Sequence, residues 1–279
     1  MRLVLLTCLV MIAFAANSVL NRWAVFGAGL GPASVALLRV GSGAAVLLGL
    51  TLTLRGASAL RLRPSVLGAG AATLFLYLFG FSIASGLIDA GLGALTLFGS
   101  VQITMFAGAL ILREPISRWR WIGAALAFSG LVLLLLPTGT VRVSPAGFAL
   151  MALAGVGWGL YSLNGRRIAD PLAATALNFT LATPLAALWL VSAQDWGQGE
   201  AWGIWPALAS GAITSGLGYA LWYRVLPELP ASFAAIAQLS VPLLAALGGA
   251  LVLAEAPKPI FWISAALVLG GIGLSLKRR

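Results

Sequence analysis

The sequence predicts an all-α integral membrane protein with ten transmembrane helices in two inverted five-helix repeats. Three observations lead there. Of the 279 residues, 61% are hydrophobic and only 9% are charged, against about a quarter charged in soluble domains. Mean hydropathy is +1.02, and a chain this apolar cannot cover a water-facing surface. The apolar runs are long enough to span as helices, whereas barrel strands would alternate over segments of about ten residues. Finally, the basic residues and a set of Glu, Trp and Gly positions recur with a regularity that fixes the topology.

A helix needs about 20 residues to cross a hydrocarbon core of about 30 Å. Ten segments qualify: 3–26, 33–54, 65–87, 90–112, 119–136, 146–166, 172–193, 201–224, 230–253 and 259–276. The first could be mistaken for a signal peptide, since Arg2 precedes an apolar run and Ala13-Phe14-Ala15 resembles a cleavage site. The run continues past that point and has a counterpart later in the chain, so it reads as span 1. The connectors are short and hold most charges, Gly and Pro, leaving no room for a soluble domain.

The net charge of +10 would suggest nucleic acid in a soluble protein. Here it follows from membrane topology. With the N-terminus in the cytoplasm, Arg2, Arg55, Arg61, Arg63, Arg113, Arg118, Arg120, Arg166, Arg167, Arg224, Lys277, Arg278 and Arg279 lie inside. Only Arg22, Arg142 and Lys258 lie outside, and Arg39 falls within span 2. Positive charge retained on the cytoplasmic side predicts an inner (plasma) membrane protein with both termini cytoplasmic. A miscounted span would scramble that alternation. The partners are then the bilayer and a small solute, not nucleic acid.

Glu114, Trp121, Ile122, Ala124-Ala125-Leu126 and Gly130 recur as Glu255, Trp262, Ile263, Ala265-Ala266-Leu267 and Gly271, at a constant offset of 141. Alanine and leucine matches are cheap, but paired Glu and Trp at one offset are not. The repeats divide the chain into 1–137 and 145–279. Five spans per repeat is an odd number, so the second enters the membrane inverted. Inverted repeats build transporters whose site lies near the bilayer midplane.

Ten spans, two five-helix units and an acidic residue plus Pro closing the fourth span of each resemble the drug/metabolite transporter superfamily, EamA type. The carrying segments are Leu112-Arg113-Glu114-Pro115 and Leu253-Ala254-Glu255-Ala256-Pro257, the second with Ala256 inserted before its Pro. Phe14-Ala15-Ala16-Asn17 and the Tyr- and Trp-bearing spans 3, 6 and 8 are most similar to the YddG-like aromatic amino acid exporters. The resemblance implies export of aromatic or other neutral amino acids and related small metabolites by alternating access.

In lipid, a polar side chain at mid-span must face protein or water. That criterion selects Asn17 in span 1, Tyr77 in span 3, Gln102 in span 4, Trp158 and Tyr161 in span 6, Tyr219 and Trp222 in span 8, and Gln238 in span 9 as substrate-binding candidates. Trp158 and Tyr161 are three apart and share a helix face; Tyr219, Trp222 and Tyr223 make another. The interfacial aromatic belt accounts for Trp119, Trp121, Trp196, Trp202, Trp205 and Trp262 at span ends, but not for these. For Trp158 and Tyr219 the competing role is ordinary core packing. Pro242 removes an N–H and displaces the carbonyl of Gln238, making a polar break at mid-span. Pro184 in span 7 predicts a kink. Arg39 either attracts a substrate carboxylate or serves the fold, and the fold is the commoner use.

The chain has no His and a single Cys, Cys8, so neither a Ser-His pair nor a Cys/His metal cluster can be built. No Walker sequence is present, and no cofactor is called for. The reading is a carrier, not an enzyme. Its acids are Asp89, Glu114, Asp170, Asp195, Glu200, Glu228 and Glu255, all at span ends or in connectors. Proton antiport uses a titratable group at depth, so the sequence favours a facilitator. The alternative is a proton-coupled drug or metabolite exporter of the same superfamily, with Asp89, Glu114 or Glu255 as the proton site.

Overall fold

The computed structural model describes residues 1–61, 64–85, 87–88, 90–136, 144–166, 168–195, 199–252 and 259–277. These residues form helices and no strand. In chain order, α1 (Arg2–Arg22) runs into a π turn (Trp23–Gly27), followed by α2 (Pro32–Arg55), α3 (Pro64–Ser85), α4 (Ala90–Ile111) and α5 (Arg118–Leu135). Then come α6 (Pro145–Gly165), α7 (Pro171–Ala193), α8 (Ile204–Ala209), a π segment (Ser210–Leu217) and α9 (Gly218–Val225). The chain closes with α10 (Ala231–Gln238), α11 (Ser240–Val252) and α12 (Ile260–Ser275).

Eight stretches among the described residues are long and apolar enough to cross a membrane: α1 with its π turn, α2, Leu67–Ala84 of α3, α4, α5, α6, α7, and α10 with α11. The apolar α12 is shorter, at 16 residues. Predicted span 8 is not one helix but is divided among α8, the π segment and α9. Leu5, Ile103, Leu188, Trp205 and Leu251 stand exposed. A helix set that is apolar outside as well as inside is built for lipid. Cys8 is on that outer surface rather than packed inside.

Local chemistry sets the ends. Pro32 and Pro171 open α2 and α7, where the missing N–H has no helical partner to lose. Asp170 caps α7 by accepting from the Leu172 and Ala173 amides, both at 3.2 Å. Ser117 caps α5 by accepting from the Arg120 amide. Pro184 lies inside α7, which continues to Ala193. Pro242, by contrast, follows a real interruption: α10 stops at Gln238, and the Leu239 amide turns back to the Ile236 carbonyl.

The chain forms two compact units, each joining segments from both halves of the sequence. The first contains Met1–Phe75 and Asn164–Val225; the second contains Leu76–Leu163 and Leu226–Arg279. In the first, α2 and α7 run antiparallel and are tied at both ends. Asp195, just past α7, accepts from the Ala33 and Ser34 amides at the start of α2. Arg55, at the end of α2, lies 3.9 Å from Asp170 at the start of α7.

In the second unit α5 and α12 meet through glycine. A Cβ on Gly123 would fall 2.5 Å from the Gly271 carbonyl oxygen, and one on Gly271 equally close to that of Gly123. Neither backbone can retreat without breaking its own helix ladder. Gly123→Leu is therefore expected to lower thermal stability in detergent, by the overpacking cost of about 1–3 kcal/mol or more. An unchanged melting temperature would show that the two helices part freely.

Candidate functional site

The eight sequence candidates fall into two groups, one in each compact unit, with Gln102 apart. In the second unit the centre is Trp158 on α6. Its indole N–H donates a short hydrogen bond to Gln238 Oε1. Its ring lies 5.0 Å from that of Tyr77 on α3 and stacks on Tyr161 at 5.6 Å between centroids. Gln238 is the last residue of α10, at the interruption before α11. Its amide donates to the Ala234 carbonyl at 3.2 Å and contacts Met105 Sδ at 3.1 Å. Trp158, Tyr161 and Gln238 are buried, while Tyr77 is half-buried.

Gln102, on α4, is half-buried. Neither its amide nitrogen nor its amide oxygen finds a hydrogen-bond partner among the described residues, though both atoms are buried.

In the first unit Asn17 is the hub. Its Oδ1 accepts from Ser210 Oγ at 2.6 Å, Ser215 Oγ at 3.0 Å and Thr214 Oγ1 at 3.2 Å, all from the π segment. Arg39 is buried at 6% exposure. Its Nε donates to Ser215 Oγ and its Nη2 to the Tyr219 hydroxyl, both at 2.7 Å. The Tyr219 ring sits edge-on to Phe14 at 5.5 Å and to Phe179 at 5.6 Å. Trp222 meets Phe14 at 5.8 Å. Arg39 is thus engaged in a polar network inside the unit.

The sequence did not identify Ser210, Thr214, Ser215 or Met105 as members of these groups. A signal for the first three was present, since Ser210, Thr214 and Ser215 cluster in a mid-span stretch with Gly211 and Gly216. Reading it as one face requires a π register, which sequence periodicity does not announce.

Among the acids, Glu114 is engaged. Its carboxylate accepts from the Ala231 amide at 2.7 Å, the Ser232 amide at 3.3 Å and the Ser232 hydroxyl, and pairs with Arg120 at 3.3 Å. It caps the start of α10. Asp89 and Glu255, the other acids named as proton sites, lie outside the described residues.

Many helices long and apolar enough to cross a membrane, with buried polar groups beside a π segment and beside the break after Gln238, are a pattern that polytopic transporters share. Comparison with known proteins agrees. The EamA-like transporter family matches residues 145–277. The chain is 45% identical over 278 residues to "Uncharacterized protein PA1977" of Pseudomonas aeruginosa, covering all of this chain and 96% of that protein. It is 28% identical over 172 residues to "Uncharacterized transporter YwfM" of Bacillus subtilis, covering 59% and 56% of the two chains. An "Uncharacterized transporter" of Archaeoglobus fulgidus is 24% identical over 220 residues, covering 77% and 78%. A solved crystal structure superposes with a TM-score of 0.85 at 20% identity, covering 99% of this chain and 97% of that one; at that identity it shares the fold. The second half of the chain is thus similar to the EamA-like transporter family.

Proposed function

We propose that this transporter exports neutral amino acids, aromatic ones above all, and related small metabolites, by alternating access and without proton coupling. It resides in the inner membrane with both termini cytoplasmic, and its sequence repeats, 1–137 and 145–279, are inverted. The substrate-contacting residues form two groups, each built within one compact unit. Tyr77, Trp158, Tyr161 and Gln238 make one group, Asn17, Tyr219 and Trp222 make the other, and Gln102 on α4 is a separate candidate.

The observation that carries the reading is the Trp158–Gln238 pair at the interrupted end of α10. An indole N–H on an amide oxygen, between two tyrosine rings, is the arrangement that a ring-bearing solute with its own polar end can replace. Aromatic faces bind such rings by offset stacking worth about 0.5–1.5 kcal/mol per pair beyond area burial. The thiol-free, His-free chemistry of the groups suits binding and release rather than reaction.

Purified protein in liposomes tests it. Uptake of radiolabelled phenylalanine, tryptophan, leucine, alanine and glutamate is measured with and without an imposed pH gradient. Saturable flux of the aromatic and neutral members, equilibrating without accumulation, is expected. Accumulation driven by the pH gradient and abolished by a protonophore would replace the facilitator with a proton-coupled exporter. Flux of none of these solutes would remove the amino acid assignment.

A further inference from the structure

The π segment Ser210–Leu217 carries an inference about how α9 is aimed. In an α-helix, residues five apart point about 140° away from each other, at 3.6 residues per turn. Ser210 and Ser215 are five apart, yet both hydroxyls donate to the single Oδ1 of Asn17. Only the wider turn permits this, since a π turn bonds residue i to i+5 and so holds one residue more. The Gly218 amide accordingly reaches back to the Ile213 carbonyl. Arg39 extends the same face one ordinary helical turn onward, by joining Ser215 to Tyr219. Gly211 makes room: a Cβ there would lie 2.0 Å from the Arg39 carbonyl oxygen and 2.1 Å from Ser42 Oγ. Ser42 itself donates to the Leu208 carbonyl just upstream of the π segment.

We propose that Arg39 is a positioning residue: by tying Ser215 to Tyr219 beside Asn17, it holds 210–217 in π register and thereby sets the direction in which Tyr219 and Trp222 face. The inference rests on the reading that those two rings contact substrate. A π turn is rare and needs tertiary support, so its release favours the α register. Eight residues rewound as α-helix carry one residue too many for the original phase, which turns α9 by about 100°. Tyr219 then leaves Phe14 and Phe179. Deleting one residue from the segment cancels the rotation, because a shortened α-helix delivers α9 in its original phase.

The register can be read without any substrate. A Cβ at residue 218 lies 3.3 Å from the Ala13 Cβ, close enough for a disulfide once small shifts are allowed. With Cys8→Ser removing the natural thiol, Ala13→Cys and Gly218→Cys should cross-link under mild oxidation. Adding Arg39→Met should reduce cross-linking at least severalfold, and deleting Ile213, which is exposed at 59%, should restore it. Deletion of Ile213 with Arg39 intact should keep the cross-link, showing that the shortened chain folds. Cross-linking that survives Arg39→Met, or that the deletion fails to restore, overturns the proposal. The same variants without the added cysteines are then assayed for phenylalanine against alanine flux. A preference lost with Arg39→Met and recovered with the deletion supports both steps. A cross-link that follows the pattern while the preference stays constant keeps the register assignment and removes Tyr219 and Trp222 from the substrate site.

Discussion

Trp158→Ala is expected to abolish most transport, lowering flux about tenfold or more, the equivalent of about 1.4 kcal/mol or above. The loss has two sources that can be separated. Truncating a buried Trp costs about 3–5 kcal/mol of stability through the cavity left behind. It also strands Gln238 Oε1, which accepts the indole N–H, adding the penalty of an unmade buried acceptor, about 1–3 kcal/mol. Trp158→Phe keeps a ring between Tyr77 and Tyr161 and removes the donor, together with part of the ring volume of the indole. Gln238→Leu removes the acceptor and strands the donor instead. Combining them removes both partners, which buried sites tolerate nearly neutrally. Trp158→Phe/Gln238→Leu should therefore recover most of the thermal stability lost by either single change while transport stays low. Recovery of flux together with stability would make the pair a packing device and take both residues out of the substrate site.

The order and extent of the spans were legible because hydropathy over about 20 residues depends only on local composition. The interruption after Gln238 was legible too, since Pro242 announces a lost N–H. The π segment was not, for it contains no proline and its composition suits an α-helix equally well. What holds it is Asn17 and Arg39, which are 193 and 176 residues away in sequence from Ser210 and Ser215. Asn17, Tyr219 and Trp222, picked from the sequence as substrate-binding candidates, are buried, but no spacing rule says that Arg39 donates to Tyr219. The sequence also placed Trp158 and Tyr161 on one face and could not tell that Gln238, 80 residues on, closes onto the indole. Glu114 stood out by recurrence, yet its partners Ala231 and Ser232 are beyond any local motif.

Glu114→Ala is expected to be the most destabilising surface-proximal change, by about 3 kcal/mol, the scale of a partly buried ion pair broken on one side. Glu114 is 13% exposed at its side chain and Arg120 is 22% exposed, so water restores little of the lost charge pairing. The change also leaves the Ala231 and Ser232 amides uncapped at the start of α10, where loss of a cap alone costs about 0.5–2 kcal/mol. Glu114→Gln keeps an acceptor for one of those amides and for the Ser232 hydroxyl but gives up the charge opposite Arg120. It should therefore fall between wild type and Glu114→Ala in thermal unfolding. The two variants also bear on coupling. If Glu114 serves α10 as a cap, Glu114→Gln in liposomes should retain flux whose extent is the same with and without a pH gradient, as in the wild type. A carboxylate that carries protons behaves otherwise: the wild type would accumulate substrate under the gradient, and Glu114→Gln would equilibrate only. That pair of results would transfer Glu114 from the fold to the transport cycle and replace facilitated exit with proton exchange.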